Sequence, residues 1–520
     1  MQKKFNITGI CRPAKHYMAD VSGKLAKTLA MVEDGDYFII NRPRQYGKTT
    51  TLYTLSELLE KKGSYLVFNI SFEGVGSHFF EEEQVFCRGF IRLLADYARY
   101  RAPELFDWLD ENALQKNSIH ELSDFITQLA NKTEKKIVLL IDEVDKSSNN
   151  QLFIDFLAML RNKYLTQDLA KTFHSVVLAG LHDIKSLKLK LRPESEQKYN
   201  SPWNIAAEFM VDMNLQPSEI VPMLEEYARD KQVTLDPKLI AERLFYYTSG
   251  YPFLVSKLCK IIDEQLLPQK TELSWALEDV ETAFQQLTRE TNTNFESLAK
   301  NLENSPELYQ LVYKVAIDGE AISYNPLDPT INFAFLYGIF VNQKGILKIH
   351  NLVYQEVLLG YMASRMHLLQ LSRNVDFGGR FINADKSLNL ETILLKFQAF
   401  MREQDSDKDR DFLERNGRLV FLAFLKPIIN GSGFDFKEPQ ISEERRLDVV
   451  ITYLQHKYIA ELKIWRGPEA HAEGLAQLAD YLDRQALHEG YLLVFDHSKK
   501  KSWKSGWEEV LGKKVFVVWV

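Results

Sequence analysis

No stretch of this chain stays apolar for anything near the roughly 18 residues that a membrane-crossing helix needs, and the N-terminus MQKKFNITGI lacks the apolar core of a secretory leader. The expectation is a soluble protein of the cytoplasm with no membrane partner. Cysteine is as scarce: Cys11, Cys87 and Cys259 stand far apart without metal-ligand spacing, which argues against a disulfide framework and suits a reducing compartment. An excess of positive charge is missing too. Lys and Arg number 64 against 71 Asp and Glu, a formal net charge of −7. The chain as a whole therefore has no electrostatic attraction for nucleic acid, and any such binding must use local basic patches. What is present is an ordinary globular composition, 45% hydrophobic and 26% charged. At 520 residues the chain is long for one core and should hold about two to four domains.

The stretch from Asp36 to Thr50, DYFIINRPRQYGKTT, organises the rest. Its apolar run Tyr37, Phe38, Ile39 and Ile40 reads as a buried strand that turns into a helix opened by Gly47, Lys48, Thr49 and Thr50. That arrangement is a phosphate-binding loop. Backbone N–H groups at a helix start face the ligand, and the helix dipole favours negative charge. Lys48 can reach the β and γ phosphates and the Thr49 hydroxyl can hold Mg²⁺, so Arg44, Gln45, Tyr46, Gly47, Lys48, Thr49 and Thr50 form the candidate ATP-binding segment. One position departs from the G-x-x-x-x-G-K-[ST] pattern: Arg42 stands where the first glycine belongs, followed by Pro43 and Arg44. A GKT at a strand-to-helix turn also arises by chance, so the loop needs support from elsewhere in the chain.

That support comes from Ile137 to Ile141, a second buried-strand run that ends in Asp142 and Glu143. An acid at the end of a core strand is where P-loop enzymes hold Mg²⁺, and a carboxylate beside it can orient or deprotonate the attacking water. Asp142 is therefore a candidate metal and nucleotide residue, and Glu143 a candidate catalytic one. A further strand, Ser175 to Ala179, runs into Gly180, Leu181, His182 and Asp183, where a polar residue can sense the γ-phosphate. His182 is a candidate for that role, and equally an ordinary surface histidine. Arg161 or Arg192, acting in cis or from a neighbouring subunit of a homo-oligomer, could accelerate hydrolysis, or either could be a solvated arginine.

The remaining elements alternate strand and helix, which implies a parallel sheet. Helix is expected over Val21 to Val32, Thr49 to Lys61, much of Glu104 to Asn131, and Leu152 to Tyr164, with a strand over Tyr65 to Ile70. From Pro217 the pattern becomes helical, over Pro217 to Ala228, Pro237 to Thr248 and from Gly250 to Leu266, and reads as a small lid. INRPRQYGKTT, LLIDEVDK, NSPWNIA, TSGYPFLV and the entry CRPAKHYMAD resemble the bacterial AAA-like ATPases related to the archaeal-ATPase and signal-transduction-ATPase group, over about Phe5 to Leu267. The resemblance implies ATP and Mg²⁺. Families of this type tolerate R-P-R in place of the first glycine.

Ser305 to Arg365 reads as helix Pro306 to Ile317, a short helix near Ile331 to Tyr337, strands Ile339 to Asn342 and Leu347 to His350, and a last helix from Leu352 to Met362 that Asn351 can cap. Helices followed by a hairpin suggest a winged helix, either a DNA-binding module or a packing and autoinhibitory one. Asn374 to Lys386 reads as a turn-rich linker.

A second chemical pattern follows. Strand Asp448 to Tyr453 turns at Leu454 to Lys457 into strand Tyr458 to Leu462, which carries Glu461 and is followed by Lys463. Positions 461 and 463 share a face, and the hairpin can bring Asp448 beside them. Two carboxylates there can bind metal, and Lys463 can position the attacking water; exposed hairpins also carry such residues without any site. A helix around Asp411 to Phe424 offers Glu414 as a third carboxylate, and the helix Ala470 to Leu487 sets Gln477 and Tyr481 one turn apart. RRLDVVITY, IAELKIWRG and LAQLADYLD resemble the PD-(D/E)xK nuclease superfamily, in the branch whose post-triad helix reads Q-x-x-x-Y, over about Asn389 to Val520. Leu447 stands where the proline of the motif belongs. The resemblance implies a metal site of Glu414, Asp448 and Glu461 holding Mg²⁺ or Mn²⁺, with Asp448, Glu461, Lys463 and Gln477 catalytic. Lys499, Lys500, Lys501 and Lys504 with Trp503 and Trp507 read as a solvated basic loop or as a contact to a nucleic-acid backbone.

The expected fold is α/β: a P-loop NTPase parallel sheet over 1–215 with a helical lid over 216–300, a winged-helix-like domain over 301–370, a linker over 371–388 and an α/β restriction-endonuclease-like domain over 389–520. The expected function is an ATPase coupled to a metal-dependent nuclease acting on nucleic acid, DNA ahead of RNA. The alternative is a regulatory or scaffold ATPase of the signal-transduction type, whose nuclease-like domain only binds nucleic acid or a protein partner.

Overall fold

The computed structural model describes residues 3–144, 150–180, 205–318, 320–365, 381–383, 385, 387–403, 421–422, 424–425, 433–436, 449–453, 456–465, 467–496, 498 and 501–520. The chain divides into two compact units, residues 1–300 with 324–354, and residues 301–323 with 355–520. The segment expected as one winged-helix-like module contributes to both. Among the described residues no helix is long and apolar enough to cross a membrane.

The first unit is built on α1 (Ser22–Glu33), β1 (Tyr37–Asn41), α2 (Lys48–Lys61), β2 (Tyr65–Ser71), α3 (Glu83–Arg101), α4 (Pro103–Ala113), α5 (Ile119–Asn131), β3 (Lys136–Asp142), α6 (Gln151–Leu165) and β4 (Ser175–Gly180). The strands form a parallel sheet in the order β1-β4-β3-β2. Their apolar runs are continuous because both faces are covered. Alternate residues serve opposite layers: Tyr37, Ile39, Phe68, Leu139, Ile141 and Leu178 pack with residues of α3 to α6. Phe38, Ile40, Val67, Val138, Leu140 and Val177 face Val32 of α1 and Leu52, Leu55 and Leu59 of α2. This three-layer packing sets every strand's C-terminal end along one edge, where Asn41, Asp142 and Gly180 lie.

Beyond the sheet come α7 (Pro217–Lys231), α8 (Pro237–Thr248), α9 (Pro252–Ile261), α10 (Leu277–Arg289) and α11 (Thr293–Asn304). Proline opens α7, α8 and α9, where its missing N–H costs no intrahelical bond. The helix expected to reach Leu266 stops as α-helix at Ile261 and continues as a π turn over Ile262–Leu266. α12 (Pro329–Leu336) precedes the hairpin β5 (Phe340–Gln343) and β6 (Ile346–Ile349). Lys344 and Gly345, both at positive φ, make its two-residue turn, as a tight hairpin requires.

The second unit contains the helix Pro306–Tyr313, most of α13 (Leu352–Arg365), α14 (Leu390–Glu403), β7 (Gly433–Phe436), β8 (Val449–Tyr453), β9 (His456–Ile464), α15 (Pro468–Arg484), β10 (Glu489–Phe495), β11 (Ser505–Val510) and β12 (Lys513–Trp519). The strands form one mixed sheet in the order β11-β12-β10-β9-β8-β7. β7, β8 and β9 are antiparallel neighbours, whereas β10 runs parallel to both β9 and β12. α15 covers one face through Leu475, Leu478, Tyr481 and Leu482. The run read as a solvated basic loop is partly strand: Trp507 lies in β11, paired antiparallel with β12. Lys501 and Lys504 lie over the rings of Trp503 and Trp519. A tight turn at Leu511 and Gly512, both left-handed, returns β11 onto β12.

Candidate ATP site

The phosphate loop fills the turn between β1 and α2. Gly47, at φ 77, is the N-cap of α2, and Gln45, two residues earlier, is also left-handed at φ 58. The first four N–H groups of any helix lack intrahelical acceptors, so this turn presents donors to an anion. Lys48 is buried, and its ammonium donates to the carbonyls of Arg42 and Pro43, each at 2.9 Å. The cation thus lies folded along the loop that it is expected to serve.

Strand order places β4 between β1 and β3, and the start of α2 spans the gap. Thr49 Oγ1 donates to Asp142 Oδ2 at 2.5 Å, while Asp142 Oδ1 accepts the N–H of Glu143 at 2.9 Å. Asp142 is buried, and Glu143 adopts a left-handed φ of 56 directly after it. A hydroxyl and a carboxylate one hydrogen bond apart are hard oxygen donors of the kind Mg²⁺ takes, and these two residues fit that ion.

Arg42 has a structural reason to replace glycine. Its backbone is not left-handed, so no glycine is needed there. Its guanidinium donates to the carbonyls of Asn41 at 2.8 Å and Val211 at 2.9 Å, and lies over the Phe209 ring, pinning the strand end to residues 209–211. Thr50 Oγ1 accepts the N–H of Cys11 at 3.1 Å, which ties the N-terminal segment to α2.

A layer of buried polar groups meets the loop at Gln45 and Tyr46, two residues of the expected ATP-binding segment, and adds partners that the sequence did not single out. Tyr46 is buried and its hydroxyl contacts Asn214 Oδ1 at 2.7 Å and His350 Nε2 at 2.8 Å. Tyr251 packs edge-on against Tyr46, with centroids 4.3 Å apart, and donates to the Arg44 carbonyl at 2.7 Å. Asn294 donates to Gln45 Oε1 at 3.1 Å. Burial pushes the Tyr251 phenol up to about 12 and drives the His350 imidazole down to about 4, so both stay neutral. TSGYPFLV contained Tyr251, and Asn351 does cap the helix after it, accepting the Tyr354 N–H at 2.8 Å. Nothing local to Asn294 or His350 marks them.

In the second unit, Glu461 is almost wholly buried, and Lys463 Nζ lies 2.8 Å from its Oε1. Lys463 Nζ also comes to 3.5 Å from Gln477 Oε1, and Gln477 in turn donates to Glu473 at 3.2 Å. Gly474 of α15 lies against Lys463, where a Cβ would stand 3.6 Å from its Cε. Tyr481 is buried one turn beyond Gln477. His182, Arg192, Glu414 and Asp448 lie outside the described residues; Arg161 lies within α6.

A family model described as an AAA-like domain matches residues 14–334, more than half of the chain. The chain belongs to that family. The chain is 24% identical over 362 residues to an uncharacterized WD repeat-containing protein of Synechocystis sp., covering 65% of the present chain and 28% of that protein. It thus spans under a third of that relative's length. Among solved structures it is similar to the Walker-type ATPase of Pyrococcus abyssi, at 14% identity and a TM-score of 0.47, covering 68% of this chain and 99% of that one. The ORC2 protein of Aeropyrum pernix in its ADPNP-ADP complexes gives 13% identity and a TM-score of 0.39, covering 70% and 98%. The family assignment rests on the match over residues 14–334.

Proposed function

We propose that this AAA-like ATPase binds ATP with Mg²⁺ between the phosphate loop and the end of β3, hydrolyses it, and couples turnover to a metal-dependent nuclease in its second unit that acts on nucleic acid, DNA ahead of RNA. The observation that carries the first half is the 2.5 Å contact of Thr49 with Asp142, beside a buried Lys48 at the head of α2. In this reading the Lys48 ammonium exchanges its two loop carbonyls for phosphate oxygens, and Glu143 orients the attacking water. Mg²⁺ at Thr49 and Asp142 supplies neutralisation of phosphate charge. The second half is supported by the Glu461–Lys463 pair beside Gln477, and by the register in which Val449, the residue after Asp448, pairs with Ala460, the residue before Glu461. A buried carboxylate with a lysine beside it suits phosphodiester hydrolysis.

The scaffold reading draws support from the relative with WD repeats. One assay set separates the two: ATP turnover, and cleavage of single- and double-stranded DNA and RNA, with Mg²⁺ or Mn²⁺ and with or without ATP. Turnover lost in Lys48→Ala, with cleavage lost in Lys463→Ala, is the expected result. ATP turnover without cleavage of any substrate would favour the scaffold.

A further inference from the structure

The phosphate loop contains a non-glycine residue in a conformation that L-residues avoid, and the fold supplies a device that holds it there. Gln45, at φ 58, sits between the Arg44 carbonyl and buried Tyr46, two residues before left-handed Gly47. Left-handed backbone costs an ordinary side chain roughly 1–2 kcal/mol, so it persists where surrounding contacts over-determine it. Those contacts converge on Asn294, in the first turn of α11 and buried. Its Nδ2 donates to Gln45 Oε1 at 3.1 Å and reaches the Tyr251 hydroxyl at 3.3 Å. The Tyr251 hydroxyl in turn donates to the Arg44 carbonyl at 2.7 Å. The Tyr354 hydroxyl donates to Asn294 Oδ1 at 2.8 Å, which orients the carboxamide and leaves Nδ2 directed at Gln45 and Tyr251. One carboxamide therefore fixes the loop at two successive residues, through the side chain of Gln45 and, by way of Tyr251, the backbone of Arg44.

We propose that Asn294 is a positioning residue for nucleotide binding, holding Gln45 in the left-handed conformation that points the N–H groups from Gly47 onward at the phosphates. It touches no nucleotide in this reading; it acts through the loop. The proposal rests on the ATP site put forward above. It makes the identity of residue 45 and the presence of Asn294 interdependent, because glycine reaches positive φ without a tether.

The test is a double-substitution cycle on the full chain, read as the dissociation constant for ADP with Mg²⁺ by titration calorimetry, with the thermal midpoint of each variant recorded. Asn294→Ala is expected to weaken binding about tenfold when residue 45 is glutamine, the loss of about 1.4 kcal/mol of loop preorganisation. Combined with Gln45→Gly, the same substitution should change affinity by less than about twofold relative to Gln45→Gly alone. Gln45→Ala should bind more weakly than Gln45→Gly, a comparison that leaves the buried layer intact. Tyr354→Phe, which keeps its ring, repeats the cycle with a milder change should Asn294→Ala fail to fold. Equal weakening in the glutamine and glycine backgrounds would overturn the positioning role while the ATP site stands. Equal affinity of Gln45→Ala and Gln45→Gly would overturn it as well. A wild-type chain that binds neither ADP nor ATP would remove the site and the proposal together.

Discussion

His350 gives this protein an acid sensitivity that can be worked out from its surroundings. The imidazole is buried, shares Tyr46's hydroxyl through Nε2 at 2.8 Å, and has Asn351 Nδ2 at 2.9 Å from Nδ1. Desolvation lowers its pKa from 6.5 to about 4, against a weaker opposite pull from the Asp212 carboxylate. In the unfolded chain the imidazole takes its proton near 6.5, whereas in the folded unit it stays neutral until about 4. Between those values the unfolded state binds more protons, so stability rises with pH. The contribution is fully present above 6.5, falls as the solution is acidified, and is spent below about 4. At 1.36 kcal/mol per pKa unit the interval amounts to about 3 kcal/mol, or roughly a hundredfold in the opening equilibrium. His350→Gln keeps a polar group beside Tyr46 and cannot titrate. Because the chain has two compact units, a single unfolding midpoint is ill-suited to the measurement. Hydrogen exchange of the segments 44–50 and 346–354, followed from pH 7 to pH 4 and corrected for intrinsic rates, isolates the effect. The wild type should lose protection relative to His350→Gln by that factor as the pH falls. Parallel profiles for the two proteins would refute the reasoning.

Three further outcomes are expected. Gly250→Ala places a Cβ 2.1 Å from the Leu215 carbonyl oxygen at a φ of +74, and should cost about 3 kcal/mol or more in the first unit's thermal stability; an unchanged melting curve would show that the backbone relaxes there. Glu143→Gln should retain ADP and ATP affinity while single-turnover phosphate release stops, and a variant that binds no nucleotide would make Glu143 structural. Asp448→Asn should lose both Mn²⁺ affinity and cleavage, whereas Lys463→Ala should lose cleavage and keep the metal, which paramagnetic resonance of added Mn²⁺ can follow.

Strands that carry the nucleotide site were legible because burial on both faces forces unbroken apolar runs, and YFII and IVLLI end directly at the loop and at Asp142. The helices α7, α8 and α9 were legible from prolines at their first turns. β11 escaped because it is exposed and lies at the sheet edge: with little of it buried, its polar composition carries no core-facing alternation. Asn294, His350 and Tyr354 escaped for a different reason. Asn294 and His350 meet Gln45 and Tyr46 across 249 and 304 positions, Tyr354 meets Asn294 across 60, and no local period encodes a pairing over such distances. Arg42 looked like a defect in the motif, and its role as a clamp onto the carbonyl of Val211 became visible only with the neighbouring segment in place.

The separation of Tyr46 from His350, 304 positions along the chain, also orders events during synthesis. A ribosome adding about 5–20 residues each second needs roughly 15–60 s after it has made the loop before it makes the histidine. The rest of the sheet and the helices from Pro217 to Asn304 are made within that interval, and once made they precede the hairpin and helix start, so that Tyr46 and Asn294 await the groups contributed by residues 350–354. The buried layer behind the phosphate loop is therefore completed late in translation. A product terminated between Lys300 and Gly338 would carry the loop, Tyr251 and Asn294 but lack His350 and Tyr354, the partners of Tyr46 and Asn294.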